Sequence, residues 1–228
     1  MDLRVKALAF VQDHRRAILI VGLLIVIPLL LFAKVHHFDF VNWDDDLYVY
    51  ENPSIRSITL THLGEWFTKL YATLYVPIPV ASYAIDFMAY GYHPGGYHIT
   101  NLLIHIANVL LLYFLFKRIF QNSLLAFGGA LLFALHPIQV DSMAWISQRK
   151  NLLCAFFLLS SFNVFVRFHD EKQQGLRSMT VVVLLIIAAT LSKITATVAP
   201  LLLIAYDFFY SRTLARPKII AYSGLILL

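Results

Sequence analysis

Apolar residues run along this chain in long blocks divided by short polar punctuation. The first block covers residues 17–33, contains Pro28, and follows a leader bearing Arg4, Lys6, Arg15 and Arg16. A cleaved signal peptide has a shorter apolar core, about 7–15 residues, ending in a small-x-small site. Here Lys34-Val35-His36-His37 follows instead, so the block reads as an uncleaved first span. Further blocks cover about residues 99–116, closing at Lys117-Arg118, and about 124–135, stopping at His136-Pro137. Others run over 152–166, ahead of Arg167, over 179–191, and from the turn at Ser192-Lys193 to about residue 210. A seventh starts at Ile219, and the sequence stops inside it. The pattern predicts an all-α polytopic membrane helical bundle of about six to seven spans. Residues 1–228 read as one transmembrane module, with no internal repeat and no room for a soluble domain.

Between the first two spans lies a long outer loop, residues 35–98. Residues 59–67 read as a short amphipathic helix lying at the interface. Two prolines exclude residues 75–80 from a regular helix interior. Residues 81–92 are apolar and aromatic but carry Asp86, which suggests an interfacial or re-entrant segment. His93-Pro94-Gly95-Gly96 reads as a turn.

Composition agrees. The chain is 60% hydrophobic and 14% charged, with mean hydropathy +0.72, against about 45–50% and 25% for a soluble domain. The net charge of +5 does not point to nucleic acid, because the basic residues stand between apolar blocks as topogenic signals do. Twelve of the eighteen lysines and arginines fall on the N-terminal side of the predicted spans and six on the other, which places the N-terminus in the cytoplasm. The single Cys154 excludes an intramolecular disulfide.

Most of the acid falls outside, and it is concentrated in Asn42-Trp43-Asp44-Asp45-Asp46. Three adjacent carboxylates need water, a cation or a polar substrate; beside a histidine they could hold a hard divalent cation. His36-His37 is a weak metal signal. In the second span His98, Asn101, His105 and Asn108 recur at i, i+3, i+7 and i+10, one narrow stripe facing the bundle interior; interhelical hydrogen bonding is the plain alternative to a binding role. If residues 138–150 are helical, Asp141, Trp145 and Arg149 share a face, either as a structural link or as part of a site. Lys193 adds a cation in the next outer turn, where ordinary snorkelling would also put one. No phosphate-binding glycine loop, paired cysteines or hydrolase triad order is present.

The ordered set, Phe40-Val41-Asn42-Trp43-Asp44-Asp45-Asp46 with Asn52-Pro53, His93-Pro94-Gly95-Gly96 with His98, Asn101 and His105, Ala134-Leu135-His136-Pro137 through Trp145 to Arg149, and Ser192-Lys193, resembles the membrane O-mannosyltransferases that carry tetratricopeptide repeats, and their bacterial relatives. That family is similar to the C-type glycosyltransferases. The resemblance covers roughly residues 35–210, the N-terminal membrane part alone. It implies a sugar, mannose in the family, moved from a polyprenyl- or dolichyl-phosphate donor to a protein or glycan hydroxyl at the outer or luminal face. The setting would be a bacterial inner membrane or the endoplasmic reticulum. Asp44 and Asp45 match the family's acidic pair, with Asp46 as an extra residue. Asp141 matches a position where relatives often carry Glu, and the segment after Arg149 and residues 75–83 depart from the pattern. The site expected from this is Asp44 or Asp45 as base and Asp141 as orienting acid. Arg149 with Lys150 or Lys193 would sit on the lipid phosphate, and His98, Asn101 and His105 on the sugar. No tetratricopeptide repeats follow, so the expectation is a fragment or a minimal relative. A transporter or scramblase with a relay through His105, Asp141 and Lys193, or a non-catalytic membrane subunit, are the rival classes.

Overall fold

The structure, a computed structural model, describes residues 3–170 and 176–211, so the expected seventh segment lies outside the described residues. Within them the chain is helical and has no β-strand. The helices are α1 (Leu3–Leu31), α2 (Leu60–Trp66), α3 (Pro77–Tyr90), α4 (Pro94–Phe120), α5 (Ser123–Leu135), α6 (Gln139–Ala144), α7 (Arg149–Asp170), α8 (Leu176–Ser192) and α9 (Ala199–Tyr206). Three stretches are long and apolar enough to cross a membrane: His14–Leu31, Pro94–Phe120 and Ile146–His169. Ser123–Leu135, Arg177–Ser192 and Ile194–Tyr210 are apolar but shorter. At 1.5 Å per residue, the 13 residues of α5 reach about 20 Å of a core about 30 Å thick.

Packing follows the small residues. Ala126, Ala130 and Ala134 recur every fourth residue of α5 and are fully buried against Ile20 and Leu24 of α1 and Val109 and Tyr113 of α4. Their size lets the three backbones approach, which is what helix association in lipid rewards. α7, α8 and α9 join the end of α4 around Phe165, Val166, Val182, Ile186 and Leu203. The α4–α5 corner is sharp. Gln121 sits at φ +51°, and the Asn122 carboxamide oxygen accepts from the amides of Leu124 and Leu125, satisfying donors the helix start leaves open.

The outer loop is a folded cap with its own apolar core of Tyr48, Val49, Ile55, Trp66, Val76, Val80, Tyr83, Ala84, Tyr97 and Ile146. The short helix is where the sequence puts it: Thr59 caps α2 through its hydroxyl. Trp66 is turned into the cap, its indole donating to Ser54 at 3.1 and 3.2 Å. Both proline-bearing segments of the loop open helices. α3 starts at Pro77, with both prolines in its first turn, where a missing N–H costs little. The expected turn at residues 93–96 is instead the start of α4, capped by His93 with Pro94 at its first position. Its glycines serve close packing: a Cβ on Gly95 would come within 2.5 Å of the His36 carbonyl oxygen, and one on Gly96 within 2.2 Å of the Tyr90 ring.

Candidate active site

The stripe on α4 is inward-facing, and all four of its side chains are buried. His98 Nδ1 lies 3.0 Å from the Met143 carbonyl, and the Asn101 amide reaches those of Ser142 and Ile146 at 3.4 and 3.3 Å. His105 Nε2 lies 3.3 Å from the Ala134 carbonyl, and Asn108 donates to that of Leu152 at 2.9 Å. The carbonyls of Ala134, Ser142 and Met143 belong to the last turns of α5 and α6, where no intrahelical donor remains. The stripe thus supplies side-chain donors to helix ends. This is the packing role that the sequence offered as the plain alternative.

The same carbonyls explain the main correction in this region. Residues 138–150 are not one helix. α6 ends at Ala144, Trp145 is extended, a 3₁₀ turn covers Ile146–Gln148, and α7 starts at Arg149. Tertiary partners hold the break open: Tyr83 donates its hydroxyl to the Ile146 carbonyl at 3.1 Å, Asn101 adds its amide, and Asp45 Oδ1 accepts from the Ser147 amide at 2.8 Å. Asp141, Trp145 and Arg149 therefore share no helix face. Asp141 is exposed and does not pair with Arg149.

Arg149 is 0% exposed. Its Nε donates to Asn101 Oδ1 at 2.6 Å, its Nη2 to the Tyr97 carbonyl at 2.9 Å, and its Nη1 reaches Ser82 Oγ at 3.4 Å. Nη2 also lies 2.6 Å from Asp86 Oδ2, a charge contact without hydrogen-bond alignment, and the guanidinium stacks 4.7 Å from the Tyr83 ring centroid. A side chain held this way is closed off from the surface and ties α3 to α4 and α7. Asp86, the lone acid of the apolar 81–92 block, was the signal for it: an acid in such a block implies a buried cation partner.

The acidic triplet splits into three roles. Asp45 is buried; Oδ2 accepts from the Val41 amide at 2.9 Å and Oδ1 from Ser147, so it pins the acidic turn to the head of α7. Burial, opposed by those two bonds, raises its pKa above the ordinary 3.8. A folded-state pKa above the unfolded one means the protonated form favours the fold. That contribution is complete below pH 3.8 and is lost as the pH rises through the raised value. Melting curves of wild type and Asp45→Asn between pH 4 and 7 should therefore diverge with pH, the wild type losing stability relative to the variant on the alkaline side. Asp46 bonds the Leu47 amide in its own turn.

Asp44 is the open one, its side chain 24% exposed, with Oδ2 3.3 Å from Lys150 Nζ. The Lys150 ammonium lies 5.1 Å from the Tyr48 ring centroid and 5.9 Å from that of Trp145. Burial and the Asp44 charge push the Tyr48 phenol up to about 12, so it stays neutral beside the ion pair. One residue on, Asn151 accepts from Lys193 Nζ through its oxygen and donates to Gln148 Oε1 at 2.7 Å. The turn after α8 thereby brings a second cation beside the head of α7. Sequence reasoning missed Asn151, Gln148 and Tyr48; a run of four polar residues heading an apolar helix, Gln148 to Asn151, was the available signal.

Chemically, the group offers an accessible carboxylate, two ammonium groups and aromatic faces at the cap end of the bundle. His105 bonds the Ala134 carbonyl, Lys193 bonds Asn151 and Asp141 is exposed, so among the described residues no side-chain bond links the three. Near the opposite end, buried Asp207 lies 3.7 Å from His169. Among the described residues no three His, Cys, Asp or Glu side chains gather as a metal site.

The chain is similar to several known proteins. Human protein O-mannosyl-transferase TMTC4 is 31% identical over 185 residues, 70% of this chain and 24% of that protein. Mouse TMTC1, also a protein O-mannosyl-transferase, is 32% identical over 102 residues, 44% of this chain and 11% of its own length. The Caenorhabditis elegans protein O-mannosyl-transferase F38B6.6 is 28% identical over 142 residues, 61% of this chain and 20% of its own. The chain spans about a quarter or less of these relatives. No family model and no solved structure matches it.

Proposed function

From the premise that this chain belongs to the membrane protein O-mannosyl-transferase family, we propose that it forms the acceptor-activating part of a mannosyltransferase acting at the outer or luminal face. The donor is an isoprenoid-phosphate mannose and the acceptor a protein hydroxyl. The observation that carries this reading is the Asp44–Lys150 pair, an open carboxylate on one cation, with a second cation, Lys193, bonded to the next residue, Asn151, where apolar helices end. The isoprenoid tail lies in lipid, and its phosphate takes Lys150 and Lys193. Lys150 leaves Asp44 to do so, and Asp44 is freed to accept the hydroxyl proton. The acceptor oxygen bonds the anomeric carbon as the bond from that carbon to the phosphate oxygen breaks. The leaving phosphate departs with the electron pair, held by the two ammonium groups. Asp45 positions Asp44, and Arg149 holds the cap on the bundle. Charge distribution supports a cytoplasmic N-terminus, and we place the three shorter apolar segments as tilted or recessed crossings.

The test is mannosyl transfer from dolichyl-phosphate mannose to a serine- and threonine-bearing peptide, measured on the protein in native membranes. Lys193→Gln should raise the donor KM roughly tenfold or more, the worth of one charge-assisted hydrogen bond, with the acceptor KM unchanged. Equal effects on both constants, or none, would remove the phosphate from this end of the bundle.

A further inference from the structure

A second cavity, of about 620 Å³, opens at the end of the bundle opposite the acidic cap, between the start of the apolar part of α1 and the α4–α5 corner. Its size falls in the range of ligand pockets, about 300–1,000 Å³. Arg16 enters it from α1 and Lys117 from the last turn of α4, with Gln121 and Ser123 beside them. Among the described residues no acid lines it, and neither cation has an acidic partner. The first amides of α5 do not complete the site, because Asn122 already occupies them; any anion must be held by side chains. The rim carries Leu19 and Leu124, 62% and 75% exposed, so the mouth has an apolar edge.

We propose that this cavity holds the phosphate headgroup of one anionic phospholipid, clamped by Arg16 and Lys117, with the acyl chains lying along Leu19 and Leu124. Two unpaired cations from separate helices over an apolar doorway match a lipid phosphate better than a soluble anion, which would gain nothing from the leucines. Basic pockets between membrane helices are suited to this chemistry. The site is independent of sugar transfer: it shares no residue with the outer cap, and it locks α1 to α4 and α5 on the other side of the membrane.

The experiment is native mass spectrometry of the full chain in detergent, titrated separately with phosphatidylglycerol and phosphatidylcholine. One phosphatidylglycerol per chain should be retained roughly 30-fold more tightly than phosphatidylcholine, two cations' worth of attraction. Arg16→Gln with Lys117→Gln should abolish that preference, Arg16→Lys with Lys117→Arg should keep it, and Arg56→Gln in the outer cap should leave it untouched. Should the double glutamine variant aggregate, each single variant decides, at about fivefold weaker retention. Equal retention of the two lipids, or wild-type retention by the glutamine variants, overturns the proposal. Displacement of the lipid by excess inorganic phosphate overturns it in favour of a free-anion site; persistence of the lipid under that excess supports it.

Discussion

Arg149→Met should destabilise the protein by about 3–5 kcal/mol, among the largest losses any single replacement here would cause. The substitution leaves Asp86 buried without its cation, and removing one member of a buried ion pair costs that much because the other charge stays uncompensated. It also strips Asn101 and the Tyr97 carbonyl of their donor. Asp86→Leu combined with Arg149→Met should recover most of the loss, since removing both charges removes the uncompensated one. Arg149→Lys should recover little, because one ammonium cannot span Asn101, Tyr97 and Asp86 in the planar geometry of a guanidinium. Thermal unfolding in detergent, followed by protease access to the cap, measures this. A phosphate-binding Arg149 would behave in the opposite way, with an unchanged melting temperature and a weakened donor.

The second large effect belongs to Asp44→Asn. General base help is worth about 10²–10⁴-fold, so mannosyl transfer should fall by that factor. The melting temperature should stay close to wild type, because Asp44 is partly exposed and touches Lys150 alone among charged groups. Asp45→Asn should do the reverse in kind, loosening the acidic turn first and lowering transfer as a consequence. Measuring kcat and melting temperature side by side separates the two. If Asp44→Asn transfers sugar at the wild-type rate, the assignment of the base is wrong.

The apolar blocks were legible because lipid imposes them: α1, α4 and α7 follow directly from block length. The α4 stripe was equally legible, since polar residues repeating on one face of a membrane helix have to point inward. What the stripe bonds was hidden, because its partners are backbone carbonyls whose availability depends on where α5 and α6 end. Residues 138–150 show the limit most clearly. No proline or glycine marks a break between Ile138 and Lys150, and local propensity would continue the helix. It stops because Tyr83, Asn101 and Asp45 claim the carbonyl of Ile146 and the amide of Ser147. Once the helix is broken, Arg149 turns away from Asp141 toward Asp86, and Lys150 toward Asp44. Which of two neighbouring cations faces the acid was thus decided by residues more than forty positions away.

The Asp45–Ser147 bond spans 102 residues, and this dictates an order of assembly during synthesis. At about 5–20 residues per second, Asp45 leaves the ribosome roughly 5–20 s before the amide it must meet. Through that interval α4 and α5 are made while the acidic turn has nothing to fasten to. The chain therefore gains its acidic corner late, as the head of α7 emerges, and a nascent protein halted before that point would lack the Asp44–Lys150 pair.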